Sequence, residues 1–294
     1  MLAADLVARV RRIEIRTRRL AAGTISGEYA SAFRGRGMEF SDVREYMPGD
    51  DIRGIDWNVT ARMGAPFIKR FVEERELCIV FLADLSGSMA FGSGAERKRE
   101  TAALFAAAVG LIATRNKDKV GLATFTDRIE TFIPPKRGRV HVLRTVREIL
   151  AGDAAGRGTD LVLAMDHAMR AFRRHAVIFI LSDFLGTGYE RVLSRLGRKH
   201  DVIAVTVHDP LEAELPPVGL VEVTDPETGR PALIDTASAA VRAAHLARLR
   251  AFEAERAAIF RRANVETLAL TAGRDITDTL MRFFKAREKR IGHE

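Results

Sequence analysis

Apolar residues fall in two rhythms along this chain. From residue 76 onward, short near-continuous apolar runs alternate with longer stretches patterned at helical spacing. The runs are Leu77 to Leu82, KVGLATF at 119–125, AVIFIL at 176–181 and DVIAVTV at 201–207. Unbroken runs of this length are what strands covered on both faces require. Between them the pattern predicts helices over 95–115, 139–150, 160–172 and 189–196. The 139–150 helix carries Val142, Val146 and Ile149 on one stripe. Residues 128–133 predict a short antiparallel strand, ended by Pro134 and Pro135. Residues 208–236 hold Pro210, Pro216, Pro217, Pro226 and Pro231 and read as edge loops and short strands around GLVEV and ALID. Ser238 caps a predicted long helix to about 262, past Val241, Leu249, Phe252 and Ile259. A last strand over 264–270 and a closing helix over 275–290 complete the series. This alternation predicts a three-layer α/β domain, a sheet with helices on both faces. No internal repeat is visible.

The first 75 residues follow another pattern. Leu2, Leu6, Val10 and Ile13 recur at helical spacing among arginines. That helix either packs on the domain with a solvated arginine face or lies on a membrane or partner. Residues 34–74 are dense in charge and glycine yet hold Phe40, Tyr46, Trp57, Phe67 and Phe71, too many aromatics for a disordered tail. They read as an ordered module of short strands and turns tied to the main domain, with Trp57, the only tryptophan, as its anchor. The expected division is 1–75 as an N-terminal segment packed on a main domain of 76–294.

Composition narrows the function little. With 47% apolar and 29% charged residues, the 294-residue chain has an ordinary globular balance. A net charge of +8 permits anionic partners without singling out nucleic acid. The Arg34-Gly35-Arg36-Gly37 repeat is too short to change that. The single cysteine, Cys78, falls in the first predicted strand, which suits a reducing compartment. The amino terminus has no signal-peptide core, and the longest apolar run, Ala102 to Ala113, is short of a membrane span. A cytoplasmic protein is expected, with peripheral membrane association left open.

The candidate chemistry sits at strand ends. Asp84 closes the first run, and Ser86 and Ser88 follow with Gly87 between them. Three small oxygen-bearing side chains at this spacing suit a hard cation such as magnesium, and the carboxyl end of a parallel sheet is where α/β proteins place ligands. The same three residues also read as a helix-capping turn. Thr159 reads as an N-cap, Asp183 as a loop residue, and Asp160 as support for a site or for the next helix's positive end. Asp50, Asp51 and Asp56 read either as a second cation site, which would favour hydrolysis, or as partners of Arg44, Arg53 and Arg62.

These residues also carry a resemblance. D-L-S-G-S at 84–88, Thr159 in RGTDL and Asp183 in ILSDF resemble the metal-ion-dependent adhesion site (MIDAS) of von Willebrand factor type A domains. Residues 34–76 resemble the hallmark of the bacterial domain-of-unknown-function 58 family, which joins it to a von Willebrand A-like domain. The resemblance implies a Rossmann-like, von Willebrand A-like α/β fold with an N-terminal family-specific extension. It implies Mg²⁺, with Mn²⁺ or Ca²⁺ as substitutes, held by Asp84, Ser86, Ser88, Thr159 and Asp183. An acidic residue of a partner protein would complete the shell. It also implies a MoxR-type AAA+ ATPase and its client as partners, in chaperone-like assembly or activation.

A non-enzymatic interaction module is therefore the leading expectation. A metal-dependent hydrolase, phosphatase or nuclease, is the alternative, although a phosphoaspartate phosphatase would want an acid where Ser86 stands. A Gly-x-Ser-x-Gly elbow and a Walker A motif are both missing from the sequence. Nucleic-acid binding rests on charge alone and is not expected.

Overall fold

The computed structural model describes residues 3–21, 24–33, 38–73, 76–152, 154–156 and 158–291. Leu2 and the Arg34–Gly37 repeat lie outside them. In chain order the elements are α1 (Ala3–Ala21), α2 (Thr24–Phe33), β1 (Met38–Glu45), α3 (Trp57–Met63), β2 (Phe67–Glu73), β3 (Cys78–Asp84), α4 (Lys98–Arg115), β4 (Lys119–Phe125) and β5 (Ile129–Lys136). There follow α5 (Arg139–Ala151), α6 (Leu161–Ala171), β6 (Val177–Ser182), α7 (Glu190–Lys199), β7 (Asp201–His208), α8 (Pro210–Ala213), β8 (Leu220–Thr224), β9 (Pro231–Asp235), α9 (Ala239–Arg262), β10 (Glu266–Thr271) and α10 (Thr277–Ile291).

The central sheet has six strands in the order β10-β7-β6-β3-β4-β5. All neighbours are parallel except β4 and β5. Counted along the chain from β3, the strands lie 3-2-1-4-5-6, so the order reverses between β3 and β6. This is the expected three-layer, von Willebrand A-like sheet. Alternate residues of β3 serve its two faces. Ile79, Phe81 and Ala83 join a core with α1, α2, α4, α5 and α10, while Val80 and Leu82 join one with α6, α7 and the end of α9.

Helix α4 explains the amino-terminal helices. It is buried on every side from Thr101 to Ala113, and a helix apolar all round needs cover beyond the sheet. α1 and α5 supply it. Ile13 is buried against this core and Leu6 and Val10 pack beside it, so α1 is the packed helix of the two readings.

Two expectations need correction. Pro134 and Pro135 do not end β5, which runs to Lys136. β5 is an edge strand, where a missing N–H costs no ladder bond. Its register slips opposite Gly121, and an added Cβ there would lie 2.9 Å from Pro135. The short strands expected around GLVEV and ALID form as β8 and β9, which among the described residues pair with each other and not with the main sheet. Trp57 is not a buried anchor. It is 68% exposed on the β1–β2 ribbon, whose packing is chiefly internal, and Met47, Ile52 and Met63 are exposed with it.

A candidate metal centre at the carboxyl end of the sheet

The carboxyl ends of β3, β4 and β6 meet where the strand order reverses. Asp84 ends β3 and is buried. Its Oδ1 accepts from the Ser86 amide at 2.8 Å, and its Oδ2 accepts from the Ser182 hydroxyl at 2.6 Å. Burial and then the neighbouring Asp183 push its pKa up to about 6, against the lowering effect of those hydrogen bonds. Asp183 is also buried, one residue beyond β6. Phe184 follows with φ +60, a conformation costly for a bulky residue, and is held by packing against Tyr189 and Phe260.

The capping alternatives are resolved by geometry. The N-cap of α4 is Arg97, backed by Glu100, so the serines do not cap it. Ser86 precedes a single tight turn, Gly87–Ala90, and makes no side-chain cap bond. The Ser86 and Ser88 hydroxyls instead face each other at 3.1 Å. Thr159 is not a cap either. Asp160 caps α6, accepting from the Leu163 amide at 2.8 Å.

Consecutive carbonyls at the end of β4 tie the loops together. The Leu85 amide donates to Phe125 and the Asp160 amide to Thr126. Gly156 passes so close to Thr126 and Asp127 that a Cβ would lie 2.2 and 2.0 Å from their side-chain oxygens, so the loop leading to Thr159 is tightly packed here. Asp153 and Arg157 of the same stretch lie outside the described residues. The Thr159 hydroxyl donates to Glu227 at 3.0 Å, and the carbonyl of the preceding Pro226 lies against Gly87. Thr159, the Asp84 loop and Asp183 thus share one end of the sheet.

Three participants were missed in the sequence. Lys98, completely buried at the start of α4, donates to Asp183 at 2.8 Å and to Glu212 at 2.5 Å. Burial lowers its pKa, but those two carboxylates more than offset this and raise it. Ser182 was readable only as the neighbour of Asp183. Glu227 gave no signal, because its place depends on a hairpin folding across the site.

The donor set is all oxygen, two carboxylates and three hydroxyls, which fits a hard divalent ion and not zinc. Asp50, Asp51 and Asp56 are dispersed by contrast. Asp50 pairs with Arg44 through both oxygens, at 2.7 and 2.8 Å, while Asp51 and Asp56 cap the turn at Ile52 and helix α3. The expected pairing with Arg53 and Arg62 gives way to capping, because each carboxylate sits just before a backbone turn with unpaired amides. Among the described residues no group of three or more His, Cys, Asp or Glu side chains is arranged to hold a metal.

The family profile described as "Protein of unknown function DUF58" matches residues 42–255. The chain belongs to the DUF58 family. An uncharacterized protein of Mycobacterium tuberculosis is 33% identical over 295 residues, covering 97% of this chain and 90% of the relative. An uncharacterized protein of Mycobacterium avium is 34% identical over 165 residues, covering 54% and 95%. Among solved structures, the conserved hypothetical protein BatB from Bacteroides thetaiotaomicron aligns over 74% of this DUF58 chain and all of its own, at 14% identity and a TM-score of 0.49. The SpRpn10 VWA domain aligns over 71% and 95%, at 12% identity and a TM-score of 0.38. The fold assignment itself stands on the strand order. Among the described residues no helix is long and apolar enough to cross a membrane.

Proposed function

We propose that this DUF58 protein is a Mg²⁺-dependent interaction module whose ion bridges to an acidic side chain of a partner protein. The supporting observation is the set of oxygen donors around Asp84. Ser86 and Ser88 turn their hydroxyls toward each other instead of capping a helix. Asp84 stands beside a second carboxylate in a site that strongly desolvates it. Asp84, Ser86, Ser88, Thr159 and Asp183 would hold the ion. Neutral hydroxyls leave it a net positive charge that still attracts an incoming carboxylate. When bound, the ion supplies that attraction, and the protein supplies placement and exclusion of water.

The proposed partner is a MoxR-type AAA+ ATPase with its client, as the family resemblance implies, and the proposed location is the cytoplasm, as the single cysteine and the apolar pattern of the sequence suggest. The exposed Trp57, Ile52, Met47 and Met63 of the ribbon give such a partner an apolar surface. Two measurements test the reading. Calorimetric titration with Mg²⁺ should show binding to the wild type and none to Asp84→Ala. Capture of the ATPase should fall when EDTA is added. Equal heats from both proteins, or a yield indifferent to EDTA, would remove the bridging ion.

A further inference from the structure

The β8–β9 hairpin is an arm whose strands, among the described residues, pair only with each other, with Leu220 and Leu233 exposed. At its root, Gly219 (φ +94) accepts from the Thr236 amide and hydroxyl at 2.8 and 2.7 Å. At its tip, the Asp225 carboxylate accepts from the Glu227 amide at 2.9 Å and the Thr228 hydroxyl at 2.7 Å, and Gly229 (φ +70) completes the turn. This tip reaches the Asp84 loop. A Cβ on Gly87, between the two serines, would lie 2.3 Å from the Pro226 carbonyl oxygen, so only glycine admits the approach. The next residue, Glu227, accepts the Thr159 hydroxyl. Asp225, Pro226, Thr228, Gly229 and Arg230 are all exposed, and Glu227 alone among the tip residues is drawn partly out of solvent.

We infer that Glu227 is an internal ligand of the metal site: the hairpin is a latch that presents a carboxylate where a partner's carboxylate is to arrive. The inference rests on the metal reading above and adds its regulation. Glu227 brings a further carboxylate to the end of the sheet that carries Asp84 and Asp183, and the hydroxyl it accepts there belongs to Thr159, one of the proposed ligands. The turn around Asp225 holds the Glu227 backbone in that position. The arm is tethered by its tip contacts and its root, and its strands bury little. Lifting it therefore disturbs no core. A partner competes with a carboxylate of this chain, so its apparent affinity is reduced by the fraction of sites left unlatched.

The test uses the full-length protein and Mn²⁺ alone as probe. Glu227→Gln lies on an exposed turn and should fold normally. It should weaken Mn²⁺ binding roughly 10-fold. Water-proton relaxation should report an extra water molecule on the bound ion. Amide exchange across 225–229 should be slowed by Mn²⁺ in the wild type and unaffected by it in the variant. Should Asp84→Ala lose Mn²⁺ while Glu227→Gln matches the wild type in affinity and bound water, the latch is overturned and the metal site stands. If the wild type binds no Mn²⁺, both fall together.

Discussion

Two buried ionic clusters occupy opposite ends of the same sheet, and they are built differently. At the amino end, Arg287 of α10 is buried and paired with Asp201, the first residue of β7, and with Glu266, the first of β10, at 2.8 Å. Its Nε donates to the Ala32 carbonyl at 2.9 Å, and its guanidinium lies over the Phe33 ring. One cation of the chain thus joins α2, β7, β10 and α10. At the carboxyl end, Asp84 and Asp183 are neighbours, the Ser182 hydroxyl donates to Asp84, and Lys98 bonds to Asp183 and Glu212. Asp118, near the amino end, sharpens the contrast. Its pKa also rises to about 6, but burial alone drives it, against hydrogen bonds from Leu77 and Tyr29. At Asp84 a second carboxylate adds to burial. The first cluster neutralises itself and holds the fold. The second sets two carboxylates side by side, with Lys98 bonded to one of them.

The largest expected effect tests the self-neutralised cluster. Arg287→Ala removes the buried cation beside Asp201 and leaves Glu266 with Arg290 as its cation, and should destabilise the protein by about 3–5 kcal/mol in urea unfolding. Arg287→Lys should lose less. Neither change should alter Mg²⁺ affinity of the folded protein, and a loss of affinity would show the two ends to be coupled.

Asp84→Asn in EDTA tests the other end and should stabilise. A folded-state pKa raised to about 6 means that the native protein keeps a proton the unfolded chain has released. That contribution favours the fold at low pH, below the ordinary carboxylate value, and is lost as pH climbs through about 6. The asparagine variant should therefore gain about 1–3 kcal/mol over the wild type at neutral pH. The gain should shrink to nothing in acid and be accompanied by loss of Mg²⁺ binding. A wild type more stable than the variant at pH 7.5 without metal would mean that Asp84 is already compensated within the chain.

Trp57→Ala should have the smallest effect on stability, within about 0.5 kcal/mol, since the side chain is exposed. It should nonetheless reduce ATPase capture. Unchanged capture would take the ribbon out of the recognition surface.

The sheet was legible because each central strand is buried on both faces and so reads as an unbroken apolar run. Asp84 and Asp183 were legible for a related reason: the runs of β3 and β6 end at them. Thr159 needed the family pattern, since its own neighbourhood also reads as a helix start. Trp57 was misread because burial of a lone tryptophan is a statistical habit, while its exposure depends on what the ribbon packs against. The continuation of β5 through Pro134 and Pro135 depended on that strand lying at an edge, which only the assembled sheet decides. Lys98 and Glu227 were beyond reach for the same reason. Lys98 meets Asp183 across 85 residues, and Glu227 meets Thr159 across 68.

Helices α2 and α10, near the two ends of the described chain, also close on one another. Tyr29 and Phe33 of α2 meet Phe284 of α10 edge to face, beside the Arg287 grip on Ala32. The ribbon is therefore an excursion that departs from a fixed point and returns to one, re-entering at the head of β3. Starting the protein at the ribbon would not trim a tail. It would pull Ile13, Tyr29 and Phe33 out of the wall against which the strand bearing Asp84 is seated.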